Sequence, residues 1–425
     1  MKKVLYVILD GLGDRPSPEL DGKTPLEAAA TPNLDRLADE GRQGTVITVG
    51  KDVAPESDVA VMAILGYDPR RYHAGRGPLE AMGGGLRFRD GDLALRGNFA
   101  TLGDGWTISD RRVGRNLTSG EAQQLADAVT AELRLREAPA DLVVKASIGH
   151  RCAVVFYPRE GRLSAQISNT DPAYARLGGL GVAVLNPGNE VVTCTPLDGS
   201  PEAARAAALV NEFTRVSREI MDGHPVNRRR RAEGKPPGNA ILVRDAGDHL
   251  PEVPPIAERF GIEFGCFVEM PVERGIARLL GMRVVEVPSS AGDREKSYRI
   301  WARRAAEEIR SHGGLYLHLK GPDEPGHDGD FAGKRDVIAL IDRAFFGELL
   351  PKVDRAGVLI AVTADHATPC SLRGHSADPV PLLVHGAGVK PDATRAFSER
   401  EAARGDLGLL HGVDIMPLLS GLAKS

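Results

Sequence analysis

Cysteine is scarce in this chain: four residues in 425, Cys152, Cys194, Cys266 and Cys370, with no C-x-x-C pair. That spacing argues against structural zinc and a disulfide framework, and it fits a reducing compartment, so a cytoplasmic location is expected. Long apolar runs are missing too. No stretch approaches the roughly 18 residues that cross a bilayer. MKK is followed by only six apolar residues before Asp10. That is short for a secretory core and lacks a cleavage site, so the segment reads as a buried strand. Neither charge sign dominates: 54 basic against 58 acidic residues, with pI about 6.3, give no global pull toward nucleic acid or membrane. There is no internal repeat, heptad run or low-complexity tract, and GGG at 83–85 lacks the Gly-Lys-Ser/Thr of a P-loop. What remains is a globular chain, 42% hydrophobic and 26% charged, long enough for two or three domains.

Against these absences stands a set of seven potential metal ligands at the two ends of the chain. VLYVILD ends at Asp10, and Ser57 follows Pro55-Glu56; GPDEPGHDGD supplies Asp323 and His327, TADH supplies Asp365 and His366, and RGHS supplies His375. Carboxylates and imidazoles suit Zn, Mn and related divalent ions. Two such ions about 3.5–4 Å apart clamp a phosphoryl group, and the serine among the acids is the candidate nucleophile.

VLYVILD reads as a central parallel strand buried on both faces. Thr31-Pro32 opens a helix. Strands are expected at Gly314–Leu319, 357–363 and Val380–His385, with a helix over 334–350. Asp10, Asp323 and Asp365 then stand just beyond strand ends, where open α/β sheets build their sites. From about 86 to 196 the texture changes to short alternating segments rich in Gly and Pro, like a small α+β unit. A helix over 202–221, a basic loop over 227–238 and a buried strand from Ala240 follow. The expected architecture is therefore an α/β domain, a mostly parallel sheet flanked by helices, formed by 1–85 and 226–425 and interrupted by a smaller α+β domain over 86–225.

Taken together, VILDGLGD, TPNLDRLADEG, APESDVAVMAILGYDP, GRGPLEAMGGG, RGNFATL, ISDRRVGR, HPVN, VRDAG, KGPDEPGHDGDFAGKRDVIALID and AVTADHATPCSLRGHSADPVPLL resemble the archaeal-type cofactor-independent phosphoglycerate mutases of the alkaline phosphatase superfamily. The resemblance runs from the first strand almost to the C-terminus. It implies an alkaline-phosphatase-like fold and interconversion of 3-phosphoglycerate and 2-phosphoglycerate through phosphorylated Ser57. It also implies two divalent ions and no 2,3-bisphosphoglycerate. One ion would be held by Asp10, Ser57, Asp365 and His366, the other by Asp323, His327 and His375. The resemblance favours Mn; the ligand set also admits Zn, Co or Mg.

Bland readings compete at each position. Asp10-Gly11 is also a turn signal, and Ser57 suits a helix N-cap, a position that itself presents an oxygen to phosphate. Asp58 reads as a first-turn acid. His150, His224, His249, His312, His318, His385 and His411 read as structural, and His73 as a weak substrate-site candidate. A phosphoglycerate carries a phosphate and a carboxylate, which Arg forks match. Arg76, Arg111, Arg112, Arg115 and Arg244 lie in the family-like motifs and are the substrate-binding candidates. Residues 228–231, four arginines, read as a solvated rim rather than a nucleic-acid patch, and Lys320 as either a phosphate contact or a surface charge. The competing functions are a homoserine kinase-like phosphotransferase, a metal-dependent phosphatase, and a binding protein on a degenerate hydrolase fold. The expected partner is a small phosphorylated substrate, without nucleic acid or membrane.

Overall fold

A computed structural model describes residues 2–72, 75–177, 180–184 and 187–425; His73 lies outside them. The chain first lays down β1 (Lys3–Leu9) and β2 (Arg42–Ile47). It then builds β3 (Leu93–Leu102), β4 (Ile108–Asp110), β5 (Ala140–Ala146), β6 (Arg151–Pro158), β7 (Tyr174–Leu177), β8 (Leu180–Ala183) and β9 (Ala240–Gly247). It finishes with β10 (Phe264–Phe267), β11 (Arg283–Val284), β12 (Gly314–Leu319), β13 (Val358–Thr363), β14 (Val380–His385) and β15 (Gly408–His411).

The strands fall into two compact units. The first comprises Met1–His73, Val253–Glu269 and Ile276–Ser425, and the second Ala74–Glu252 with Met270–Gly275. The second unit is wider than the 86–225 span read from composition. Most of its excess has a structural reason: β9 pairs antiparallel with β3, which draws residues 226–252 into the second unit.

The first unit is an eight-stranded sheet in the order β11-β10-β12-β1-β13-β14-β2-β15. All neighbours are parallel except where β14 meets β13 and β2. Val4 to Leu9 in β1 are completely buried, as expected of an apolar strand covered on both faces. β1 lies between β12 and β13, in register with both. That adjacency brings the carboxyl ends of three strands distant in sequence side by side. The expected helix over 334–350 is present as Phe331–Ile341 continued by a π-turn at Asp342–Phe346. The buried Asp342 carboxylate accepts from the Asn33 and Leu34 amides, so it caps the helix Pro32–Asp39, where Thr31 makes no side-chain cap.

In the second unit, β4, β3, β6 and β5 form an antiparallel sheet with β9 on the free side of β3. The helices Ser119–Glu132 and Pro201–Asp222 contribute Leu125, Val129, Val210 and Phe213 to the core over its strands. The expected basic loop over 227–238 is largely a helix, Pro225–Ala232, started by Pro225 with His224 as its cap. Nor are its four arginines uniformly solvated. Arg230 is buried, donating to Pro236 O and Glu121 Oε2 at 2.9 and 3.0 Å. The four cysteines are buried and unbridged. Among the described residues no helix is long and apolar enough to cross a membrane.

Candidate active site

The first cluster forms where β1, β12 and β13 end. Asp10 follows β1 and its amide donates to Leu319 O. Gly11 has φ +63°, and a Cβ there would stand 2.7 Å from Asp323 Oδ1. Glycine is therefore required both by conformation and by the close approach of the Asp323 loop. Asp323 opens the short helix Asp323–Asp328 that carries His327, and Asp365-His366 follow β13.

Two trios of metal-type donors emerge: Asp323, His327 and His375; and Asp10, His318 and Asp365. His327 Nε2 and His375 Nε2 face each other at 3.3 Å. Their Nδ1 atoms face backbone carbonyls, Arg373 O at 3.2 Å and Pro55 O at 2.7 Å. Carbonyls only accept, so each Nδ1 carries a proton, and the Nε2 atoms point with Asp323 into one small space. In the other trio, Asp10 Oδ1 and Asp365 Oδ2 are buried with no hydrogen bond made to them. His366 joins this group: its Nε2 is 3.2 Å from Asp365 Oδ2, 3.7 Å from Asp10 Oδ1 and 3.4 Å from Ser57 Oγ. The His366 and His375 rings stack at 3.8 Å, joining the two groups. All seven ligand candidates thus converge.

Ser57 is the first residue of the helix Ser57–Ile64, and Glu56 is its N-cap. The N-cap reading is therefore corrected by one position. The side chain still sits where first-turn amides and the helix dipole favour an anion. Asp58 is a first-turn acid, as read.

The electrostatics reflect crowded charges. Burial pushes Asp10 upward, but Lys320, His318 and His366 outweigh it and hold the carboxyl well below its usual range. Burial, reinforced by Asp10, raises Asp365. Asp323 is lowered, because His375 and His366 overcome burial and Asp10. Burial lowers His366. His375 goes the other way: burial opposes it, but its bond to Asp323 carries it up to about 9.

One residue of this cluster escaped the sequence reading, and another was read two ways. His318, taken as structural, is fully buried, with Nε2 3.5 Å from both Asp10 Oδ1 and Asp365 Oδ2. Lys320 is no surface charge: its Nζ is 3.2 Å from Asp10 Oδ2. The available signal was alternation, since His318 and Lys320 share one face of a strand end beside the Asp323 motif.

The second unit holds a cluster of opposite sign. Arg96 on β3 and Arg244 on β9 are cross-strand partners. Both are buried, and Arg76 is buried beside them in charge. Like charges directly opposite are unfavourable. Glu80 offsets part of this, with Oε1 3.1 Å from Arg76 Nε and 3.8 Å from Arg96 Nε. Burial, then Arg76 and Arg244, still lower Arg96 to about 9. Arg244 lies over the Tyr174 ring at 3.3 Å and beside Asp245, and Arg111 pairs with Asp171. Arg96 Nε, Arg111 Nη1, and Arg244 Nε and Nη1 are buried N–H groups with no hydrogen-bond partner. Arg112 and Arg115 are exposed, on a turn where Val113, Gly114 and Arg115 all have φ between 51° and 64°. Left-handed backbone at a β-branched residue is strained. Of the five arginines singled out, the structure sets Arg76, Arg111 and Arg244 beside acids and leaves Arg112 and Arg115 at the surface. Arg96 and Arg151 were missed. Burial and the neighbouring arginines lower Arg151, and burial and Arg151 drive His150 down to about 4, so that imidazole is neutral.

The chain is 46% identical to the 2,3-bisphosphoglycerate-independent phosphoglycerate mutase of Aeropyrum pernix, over 98% of each chain. The chain belongs to that family. The family's model matches residues 38–227. The corresponding protein of Methanopyrus kandleri is 39% identical over 99% of this chain and 96% of its own. Among solved structures, the cofactor-independent phosphoglycerate mutase of Thermoplasma acidophilum is 35% identical with TM-score 0.65, covering both chains fully. A Pyrococcus horikoshii protein reaches TM-score 0.81 at 33% identity, covering 100% of this chain and 97% of its own. Family membership disfavours the kinase-like, simple phosphatase and non-enzyme readings.

Proposed function

We propose that the protein interconverts 3-phosphoglycerate and 2-phosphoglycerate without 2,3-bisphosphoglycerate, through phosphorylated Ser57. The observation that carries this reading is the likeness to the Aeropyrum pernix mutase over 98% of each chain. The donor chemistry fits two divalent ions: paired imidazole Nε2 atoms with Asp323, and buried carboxylates of Asp10 and Asp365 with His366 and Ser57. Asp10 Oδ1 and Asp365 Oδ2, buried without a hydrogen bond, are donors suited to a cation. When bound, such ions supply Lewis-acid stabilisation of phosphoryl oxygens and activate a hydroxyl at neutral pH. Mn suits this set of O and N donors, as do Zn, Co and Mg.

The chain's own residues do the rest. Ser57 Oγ bonds to phosphorus while the bond to a glycerate oxygen breaks; the serine loses a proton and the glycerate oxygen gains one. The amides of the first helical turn and Lys320 offset negative charge on the phosphoryl group. The step then runs in reverse onto the other glycerate hydroxyl. Arg111 and Arg112, with the buried Arg76, Arg96 and Arg244, serve the substrate's carboxylate and phosphate, Arg115 being the most peripheral. Glycerate must be retained between the two steps, or water would complete a hydrolysis.

An enolase-coupled assay with Mn²⁺ and no 2,3-bisphosphoglycerate, run beside an ATP-plus-homoserine assay, tests the proposal. Turnover in the first and none in the second is expected. Mutase activity that requires added 2,3-bisphosphoglycerate, or that leaves no phosphate on Ser57 after rapid quenching, would overturn it.

A further inference from the structure

Thr368 lies two residues beyond His366 and is completely buried. Its Oγ1 donates to Asp323 Oδ1 at 2.7 Å and stands 3.1 Å from His366 Nδ1. The hydroxyl therefore touches one candidate ligand from each group. A threonine has a single O–H, and a carboxylate has no proton to return. With that proton given to Asp323, the contact to His366 can exist only if Nδ1–H donates to Oγ1. The tautomer of His366 follows. Its Nε2 is left with a lone pair, aimed at Ser57 and between the carboxylates of Asp10 and Asp365.

The Thr368 backbone is also held firmly. Its amide donates to Gly13 O at 3.0 Å, and its carbonyl accepts from the buried Lys334 Nζ at 2.9 Å. Lys334 also donates to Gly13 O and pairs with Asp14 at 2.9 Å. On the other side, a Cβ on Gly326 would lie 2.5 Å from Thr368 O, so the short helix Asp323–Asp328 packs directly against it. The Thr368 backbone is thus fixed against the segments that carry Asp10 and Asp323.

We propose that Thr368 is a positioning residue that sets the His366 tautomer and the Asp323 carboxylate together, coupling the two metal groups through one hydroxyl. This rests on the two-ion reading above. Partners that orient a metal ligand in this way are worth about 10–100-fold in metal affinity.

The test compares wild type with Thr368→Val, which keeps the shape and loses the hydroxyl, and Thr368→Ser, which keeps the hydroxyl. Mn²⁺ is titrated calorimetrically into metal-stripped full-length protein, and Co²⁺ is used as a spectroscopic probe. Two ions are expected in wild type. In Thr368→Val both should bind about 10–100-fold more weakly, with altered Co²⁺ ligand-field bands. Thr368→Ser should restore affinity and spectrum, which a packing role for the γ-methyl group would not allow. Two ions binding Thr368→Val with wild-type affinities and bands would overturn the coupling while leaving the two-ion reading intact. Failure of wild type itself to bind two ions would overturn both. If Thr368→Val does not fold, Thr368→Ser decides: wild-type binding and bands support the hydroxyl's role, and loss of both ions refutes it.

Discussion

The two units concentrate opposite charges by opposite means. In the first, acids and imidazoles stand in loops at the ends of three adjacent parallel strands. In the second, arginines project from within antiparallel strands and a helix, and cross-strand register sets Arg96 against Arg244. One cluster offers donors to a cation and the other buried N–H groups to an anion. A loop site can be tuned by its loops, whereas an in-strand site is fixed by register, because a one-residue slip would turn the arginines to the other face.

Substitutions can break this contrast, and the largest effect should come from Ser57→Ala. Turnover should fall at least ~10³-fold, with fold and Mn²⁺ stoichiometry little changed; near-normal mutase rates would refute the phosphoserine route. Asp323→Asn removes a proposed direct ligand, and its effect should exceed the ~100-fold reached by outer partners. Metal analysis after gel filtration should find ions lost while the thermal transition moves far less. Arg111→Ala and Arg112→Ala should lower mutase turnover by about 10–100-fold, the worth of one or two charged hydrogen bonds, without changing metal content. They should also raise free phosphate release relative to isomerisation. Wild-type kinetics for both reactions in both variants would remove these arginines from the substrate site.

The smallest effect on turnover should come from Glu399, in the first unit but outside the donor cluster. Burial raises this acid to about 7, although it accepts from the Thr24 hydroxyl and the Asp14 amide. A raised acid contributes stability that is complete below its unfolded value of about 4.5 and lost as pH rises through about 7. Glu399→Gln has no such loss. The two proteins should therefore melt alike near pH 4, and the variant should melt a few degrees higher at pH 8, with unchanged activity. Parallel melting curves across that range would show that Glu399 does not titrate as described.

The acid–imidazole cluster was legible because each donor lies in a short motif just after a strand, and strand ends are where such sheets build sites. His318 was not, because GLYLHL reads as a plain apolar strand and its histidine as core. Thr368 was hidden for a different reason. Its importance lies in where one proton goes, and no spacing rule encodes that. Arg96 and Arg151 were missed because antiparallel register is fixed by partners far away in sequence: Arg151 pairs with Asn98, and Arg96 with Arg244. The helix over 225–232 was read as a loop because the stretch is basic and contains Pro and Gly, yet Arg230 is buried with Glu121 and Pro236 as hydrogen-bond partners. Long elements with apolar periodicity were secure, among them Pro201–Asp222 and β13.

The placement of β1 between β12 and β13 has a consequence during synthesis. The first strand of the site leaves the ribosome early, but neither of its neighbours exists until most of the chain has been made. At ~5–20 residues per second that interval is on the order of tens of seconds. Meanwhile a strand that is apolar from Val4 to Leu9 has no permanent partner, and the second unit, complete by Gly275, can fold first. The nascent protein should therefore acquire its arginine cluster before its acid cluster, and gain the ability to retain metal only when β13 and the residues after it emerge.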